Sequence, residues 1–114
     1  MFSGLMAKLA GGGSALPTIG HEDFVRAVTD RSCAIVDVRE PDEYAAGHVP
    51  GARNLPLSRF QPSQLPGGQV VLICQAGGRS GRALTQALQA GRKDVRHYLP
   101  GTRGWRARGG AVTA

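Results

Sequence analysis

Apolar residues along this chain gather in short blocks separated by turn formers, and the blocks follow two different rhythms. "CAIVDV" at 33–38 and "QVVLIC" at 69–74 are continuous apolar runs of strand length, the pattern of strands covered on both faces of a parallel sheet. "DVRHYL" at 94–99 reads as a further strand, and "PTIG" and "ARNLPL" as shorter extended pieces. Between these runs the spacing changes to that of helices. Phe24, Val25 and Val28 form the apolar face of a helix predicted over 21–29. Leu84, Ala87 and Leu88 do the same for "SGRALTQALQAG", with Gly91 as its stop. "EPDEYAAG" predicts a brief helix with Pro41 near its first turn and Gly47 past its end. "RGWRARG" predicts a terminal helical turn whose Trp105 packs on the core. Strands alternating with helices predict an α/β domain with a parallel sheet.

The 114 residues suffice for one domain and one core. Residues 1–16 are expected to form a flexible segment, and 17–114 the domain. Phe2, Leu5, Met6 and Leu9 fall at helical spacing, but Gly4, the short length and the "GGGS" that follows argue against a stable helix. Apolar runs fall far short of the ~20 residues of a membrane helix. The N-terminus also lacks a basic start ahead of an apolar stretch. A cytoplasmic protein without a membrane partner is the expectation.

Two cysteines, Cys33 and Cys74, form no CxxC pair, which argues against zinc or a thioredoxin-type dithiol. No metal or cofactor is expected. Cys33 reads as a buried free thiol. Charge is unevenly spread: residues 1–75 carry six Lys/Arg against seven Asp/Glu (net −1), and residues 76–114 carry eight against one (net +7). That basic half is either a solvated face or a field that attracts an anion to a nearby site. Nucleic acid is not the expected partner, because the aromatics do not interleave with the basic residues as a stacking platform requires.

The chemistry concentrates in "VVLICQAGGRSGRAL", residues 70 to 84. In open α/β sheets ligands bind beyond the carboxyl ends of strands, and Cys74 ends a strand that reads as central. Gln75, Ala76, Gly77 and Gly78 follow with small or neutral side chains. The two glycines let successive N–H groups turn toward the sulfur as an anion-binding nest. Ser80 suits the N-cap of the next helix, whose positive end points at the same place. Arg79 supplies a cation and a fork of donors for an oxyanion. Such surroundings lower a cysteine pKa from about 8.5 into the range of about 3.5–7.5. The alternative is a buried cysteine before an ordinary βα turn; the combined order of strand, Cys, Gly-Gly, Arg, Ser and helix favours a reactive thiol.

With these motifs the chain resembles a single-domain rhodanese. "CQAGGRS" is similar to that family's Cys-x-x-Gly-x-Arg-Ser loop at Cys74, Gly77, Arg79 and Ser80. "YAAGHVPGARNL" resembles a second family signature through Tyr44, His48, Val49, Pro50, Gly51, Ala52 and Leu55. "VRHYLPGTRGW" resembles its closing strand, turn and tryptophan, with Pro100 where the family usually has a first glycine. Cysteine-type protein phosphatases have a similar loop with five residues between Cys and Arg; here there are four. The shorter loop suits one sulfur atom on the cysteine better than a tetrahedral phosphate.

The resemblance implies a rhodanese-like three-layer fold and a sulfurtransferase in which Cys74 carries a persulfide. The donor would be thiosulfate or a similar small sulfur anion, and the acceptor cyanide or a thiol. The amides of residues 75 to 79 would hold the persulfide, Arg79 would orient the donor and Ser80 would hold the loop. A sulfur relay to a protein partner is the alternative, and a phosphatase or arsenate reductase a third. Asp37 and Arg39 read as an ion pair, His48 as a ligand of neighbouring backbone, and Glu40 to Glu43 as a solvated helix start; Arg82 reads as solvent-facing. Asp37, Arg39 and His48 are the candidate supporting residues of the site.

Overall fold

The computed structural model describes residues 16–114; the helical spacing and linker read in the first fifteen lie outside the described residues. Four strands, β1 (Ala34–Asp37), β2 (Arg53–Asn54), β3 (Val70–Ile73) and β4 (Val95–His97), form one sheet in the order β2-β1-β3-β4. Every pairing is parallel. A parallel bridge from Thr18 to His97 extends the β4 edge, so "PTIG" contributes one bridge and not a full strand. "ARNLPL" likewise yields only two strand residues before a 3-10 turn at Leu57–Arg59.

Strand alternation sorts the core into two layers. Val70, Leu72 and Cys74 join Val36, Val38 and Val95 on one face, where α3 (Gly78–Gln89) supplies Ala83, Leu84 and Ala87. Val71 and Ile73 join Ile35 on the other face, against α1 (His21–Asp30) and α4 (Gly101–Ala107). A brief α2 (Pro41–Ala45) follows β1. Because side chains alternate every residue, the parity of Val70 fixes which layer receives Cys74.

On the second face Phe24 stacks on Tyr98 with ring centres 4.2 Å apart and meets Trp105 edge-on at 5.3 Å. Trp105 packs on the core as expected, and its indole N–H donates to the Ala111 carbonyl at 2.7 Å. The inward face of α1 differs from the sequence reading. Phe24 and Ala27 are buried, while Val25 is exposed, because the helix presents the 24–27–28 stripe to the sheet. Cys33 is half-buried and not fully covered. α3 stops, as expected, just before Gly91, and the Arg92 N–H reaches back to the Ala87 carbonyl at 3.0 Å. Leu16 packs against the α3-side core.

Phe24 is fully buried within an aromatic triad. Phe24→Ala should therefore cost about 3–5 kcal/mol of stability, read as a fall in the urea midpoint.

Candidate active site

Cys74 stands immediately after β3 and is almost fully buried on the α3 face. The loop that follows is shorter than the sequence suggested. α3 begins at Gly78, with Gly77 as its N-cap at φ 95°. Ser80 is therefore not the N-cap. It is the third residue of the helix, fully buried beneath the turn. The reason is geometric: glycine adopts the left-handed conformation without penalty, so the chain turns into the helix at once.

This early start brings donors to the sulfur. The Gly77 N–H points at Cys74 Sγ at 3.1 Å, and Ser80 Oγ lies 3.5 Å from it. Burial raises the Cys74 pKa, but the Ser80 hydroxyl and the amides of Ser80, Ala76 and Gly77 outweigh it and hold the thiol below its ordinary range. The amide in hydrogen-bond contact with the resting sulfur is that of Gly77. The twelve-residue α3 adds its positive end at the same point.

Arg79 has a partner that the sequence reading did not name. Its guanidinium grips Glu43 of α2 through Nη1–Oε1 at 2.6 Å and Nη2–Oε2 at 3.0 Å. Glu43 is therefore only partly solvated. It closes a capping box with Glu40 and also holds the loop arginine, and the Arg79 fork draws its pKa down to about 2. Sequence reasoning missed this pair because its members are 36 positions apart.

Asp37 and Arg39 form a buried ion pair, with Arg39 Nη2 donating to Asp37 Oδ2 at 2.8 Å and also to the Gly47 carbonyl at 2.8 Å. Asn54 caps both residues' carbonyls through its side-chain amide. His48 stacks on Tyr44, and its Nδ1 lies 2.8 Å from the Tyr44 carbonyl. That is a bond to backbone, far from an acid–base role on Cys74. Arg82 is exposed.

Two residues at the site were not singled out from sequence. Arg106, from α4, lines a cleft of about 380 Å³ together with Arg39, Glu43, Ala46 and Gln75. His97, the last residue of β4, places Nδ1 2.8 Å from Ser80 Oγ. The α4 approach depends on Gly101 at φ 70°, where a Cβ would lie 2.3 Å from the Gln75 carbonyl oxygen. The glycine retained after Pro100 is therefore the one that lets the last helix close over the loop.

Cys33 lines a different cleft, of about 460 Å³, with Arg31, Arg53 and Gln69. It precedes Ala34, which pairs with Val70, so at ~3.3 Å per residue it stands roughly 16 Å from Cys74 along the sheet. A disulfide, which needs Cα atoms within about 7 Å, is out of reach. Among the described residues no cluster of His, Cys, Asp and Glu could hold a metal, and no helix is long and apolar enough to cross a membrane.

Comparison with known proteins matches residues 21–108 to the Rhodanese-like domain. The chain belongs to the rhodanese family. A Synechocystis protein of uncharacterised function is 46% identical over 78 residues, covering 66% of this chain and 44% of that protein. The putative sulfur carrier protein YrkF of Bacillus subtilis is 35% identical, covering 81% of this chain and 52% of that protein. The chain thus spans about half the length of these two relatives. The thiosulfate sulfurtransferase GlpE of Pseudomonas aeruginosa is 28% identical, with 73% of this chain and 78% of that protein covered. The human single-domain sulfurtransferase TSTD1 superposes with a TM-score of 0.70 at 27% identity, covering 81% of this chain and 96% of that one. The rhodanese loop, the parallel sheet and the flanking helices of this chain therefore share one family and one fold.

The Glu43–Arg79 pair makes acid stability a direct readout of the site. Glu43 titrates lower in the folded chain than its ordinary 4.5. Its contribution is therefore complete above that value and is lost as pH falls toward 2. Glu43→Gln should lower the urea midpoint at neutral pH, and the gap to wild type should close across that acid range. The pair is part-exposed, so the effect is modest.

Proposed function

We propose that this rhodanese domain is a sulfurtransferase that carries sulfane sulfur as a Cys74 persulfide. The observation that supports it most is the sulfur itself, buried at the strand end with the Gly77 amide at 3.1 Å and the Ser80 hydroxyl at 3.5 Å. The Gly77 N–H, already aimed at the sulfur, needs no reorganisation when charge develops there.

The Cys74 thiolate attacks the outer sulfur of thiosulfate or a similar anion. A new S–S bond forms, the donor's S–S bond breaks, and its electron pair leaves with sulfite. The persulfide anion remains on Cys74, and no proton is removed at any step. A thiolate or cyanide then attacks the outer sulfur and returns the electron pair to Cys74. Two half-reactions through one covalent intermediate give ping-pong kinetics. Gln75, Ala76, Gly77, Gly78, Arg79 and Ser80 form the loop in this reading, with Arg79 and Arg106 flanking the approach of the anion. Asp37, Arg39 and His48 act behind them as supports. The chemistry uses no metal or cofactor. A thiol that cycles in this way suits the reducing cytoplasm.

Delivery to a protein acceptor is the second reading, favoured by the similarity to a protein named as a putative sulfur carrier. Rapid transfer to a protein thiol with slow turnover on cyanide separates it from the first.

Incubation with thiosulfate should add one sulfur atom to the intact mass, and Cys74→Ala should abolish the gain. A full gain in that variant overturns the assignment. Arg106 lines the cleft beside Glu43 and Gln75. Arg106→Ala should therefore raise the KM for thiosulfate roughly tenfold or more, with kcat little changed, in a steady-state cyanide assay.

A further inference from the structure

Ser80 holds a single hydroxyl proton and has three polar neighbours. Its Oγ lies 2.8 Å from His97 Nδ1, 3.3 Å from the Gly77 carbonyl oxygen and 3.5 Å from Cys74 Sγ. All of these sit inside the α3 layer, and Ser80, Cys74 and His97 are each nearly inaccessible to solvent. Their convergence follows from the sheet. Leu72 pairs with His97 across β3 and β4, and Cys74 lies two residues beyond Leu72. Cys74 and His97 therefore face α3 together, with Ser80 between them.

The shortest of the three contacts decides what the hydroxyl can do. If His97 Nδ1 carries a proton, it donates to Ser80 Oγ, and the hydroxyl proton is shared between the Gly77 carbonyl and the sulfur, with a thiolate the stronger acceptor. If Nδ1 is bare, it takes the hydroxyl proton, and Ser80 then turns only lone pairs toward Cys74. Such an arrangement accepts a thiol S–H but repels a thiolate or a persulfide anion. One proton therefore links the imidazole tautomer to the charge on Cys74.

We propose that His97 is a positioning residue whose Nδ1–H, donated to Ser80 Oγ, turns the Ser80 hydroxyl onto the Cys74 sulfur. His97 acts without touching the sulfur and without changing charge, since burial lowers its pKa and keeps the ring neutral. Arg79 is paired with Glu43 and Arg39 with Asp37, and Arg106 lines the cleft beside Gln75. Among the described residues His97 is the titratable group linked to the sulfur through one intervening oxygen. The inference rests on Cys74 being the reactive group, as proposed above, but its readout is the resting thiolate and needs no sulfur donor. A chain that failed to transfer sulfur could still satisfy it.

The test measures the pH dependence of Cys74 alkylation by iodoacetamide in a Cys33→Ser background. His97→Leu removes the donor and should cut the thiolate fraction at fixed pH about tenfold, the equivalent of one pKa unit. His97→Asn places an amide N–H where Nδ1–H stood and should recover most of that loss. In a Ser80→Ala background, His97→Leu should change nothing further. An unchanged thiolate fraction in His97→Leu overturns the proposal. So does an Asn variant no better than Leu, or an equal effect without Ser80. Should the Leu variant not fold, nitrogen NMR of the wild-type ring decides. An Nδ1–H tautomer at a pH where Cys74 is a thiolate is the expected result, and an Nε2–H tautomer overturns it.

Discussion

The site depends on one backbone constraint, the left-handed turn at Gly77. With φ at 95°, and with space for a Cβ already taken by the Leu99 carbonyl oxygen at 2.6 Å, this position admits little but glycine. The turn starts α3 after only four residues beyond the end of β3 and lays the Gly77 amide against Cys74. It also drops Ser80 into the core, where its hydroxyl meets sulfur and imidazole. A wider turn would leave Ser80 at the helix mouth and Cys74 facing solvent with fewer donors.

Electrostatic order around the loop comes from pairing. Asp37 and Arg39 neutralise each other at the end of β1, where an unpaired buried charge would be costly. Glu43 does the same for Arg79 at the rim while anchoring the loop to α2. The strongly basic C-terminal half thus does not act as a uniform field. Part of its charge is held in pairs, and Arg106 brings another part to the cleft. The groups that meet the Cys74 sulfur are instead an amide, a hydroxyl and a helix end, all of them neutral.

Local pattern made much of this legible. The apolar runs identify β1, β3 and β4, and the Cys-Gly-Gly-Arg-Ser order locates the loop. The Asp37–Arg39 pair is separated by two residues and the His48–Tyr44 contact by four, so both lie within reach of local reasoning. The errors are of another kind. Reading Ser80 as an N-cap follows from its composition preference, but Gly77 captured the cap by backbone conformation. Reading Glu43 as solvated follows from its place in a first helical turn, but Arg79 approached it from a distant segment. Val25 carries an apolar side chain on a helix whose buried stripe passes beside it.

The sequence by itself determined the alternation of strand and helix, the thiol at a strand end and the glycines that allow a tight turn. Those are properties of side-chain periodicity and of one residue's conformational freedom, which act over a few positions. Only the tertiary structure decided that Glu43 would hold Arg79, that Arg106 would reach the cleft, and that His97 would stand behind Ser80. Each of those contacts requires two elements far apart in the chain to meet. Strand register and the side-chain parity of the parallel sheet decide which of them do.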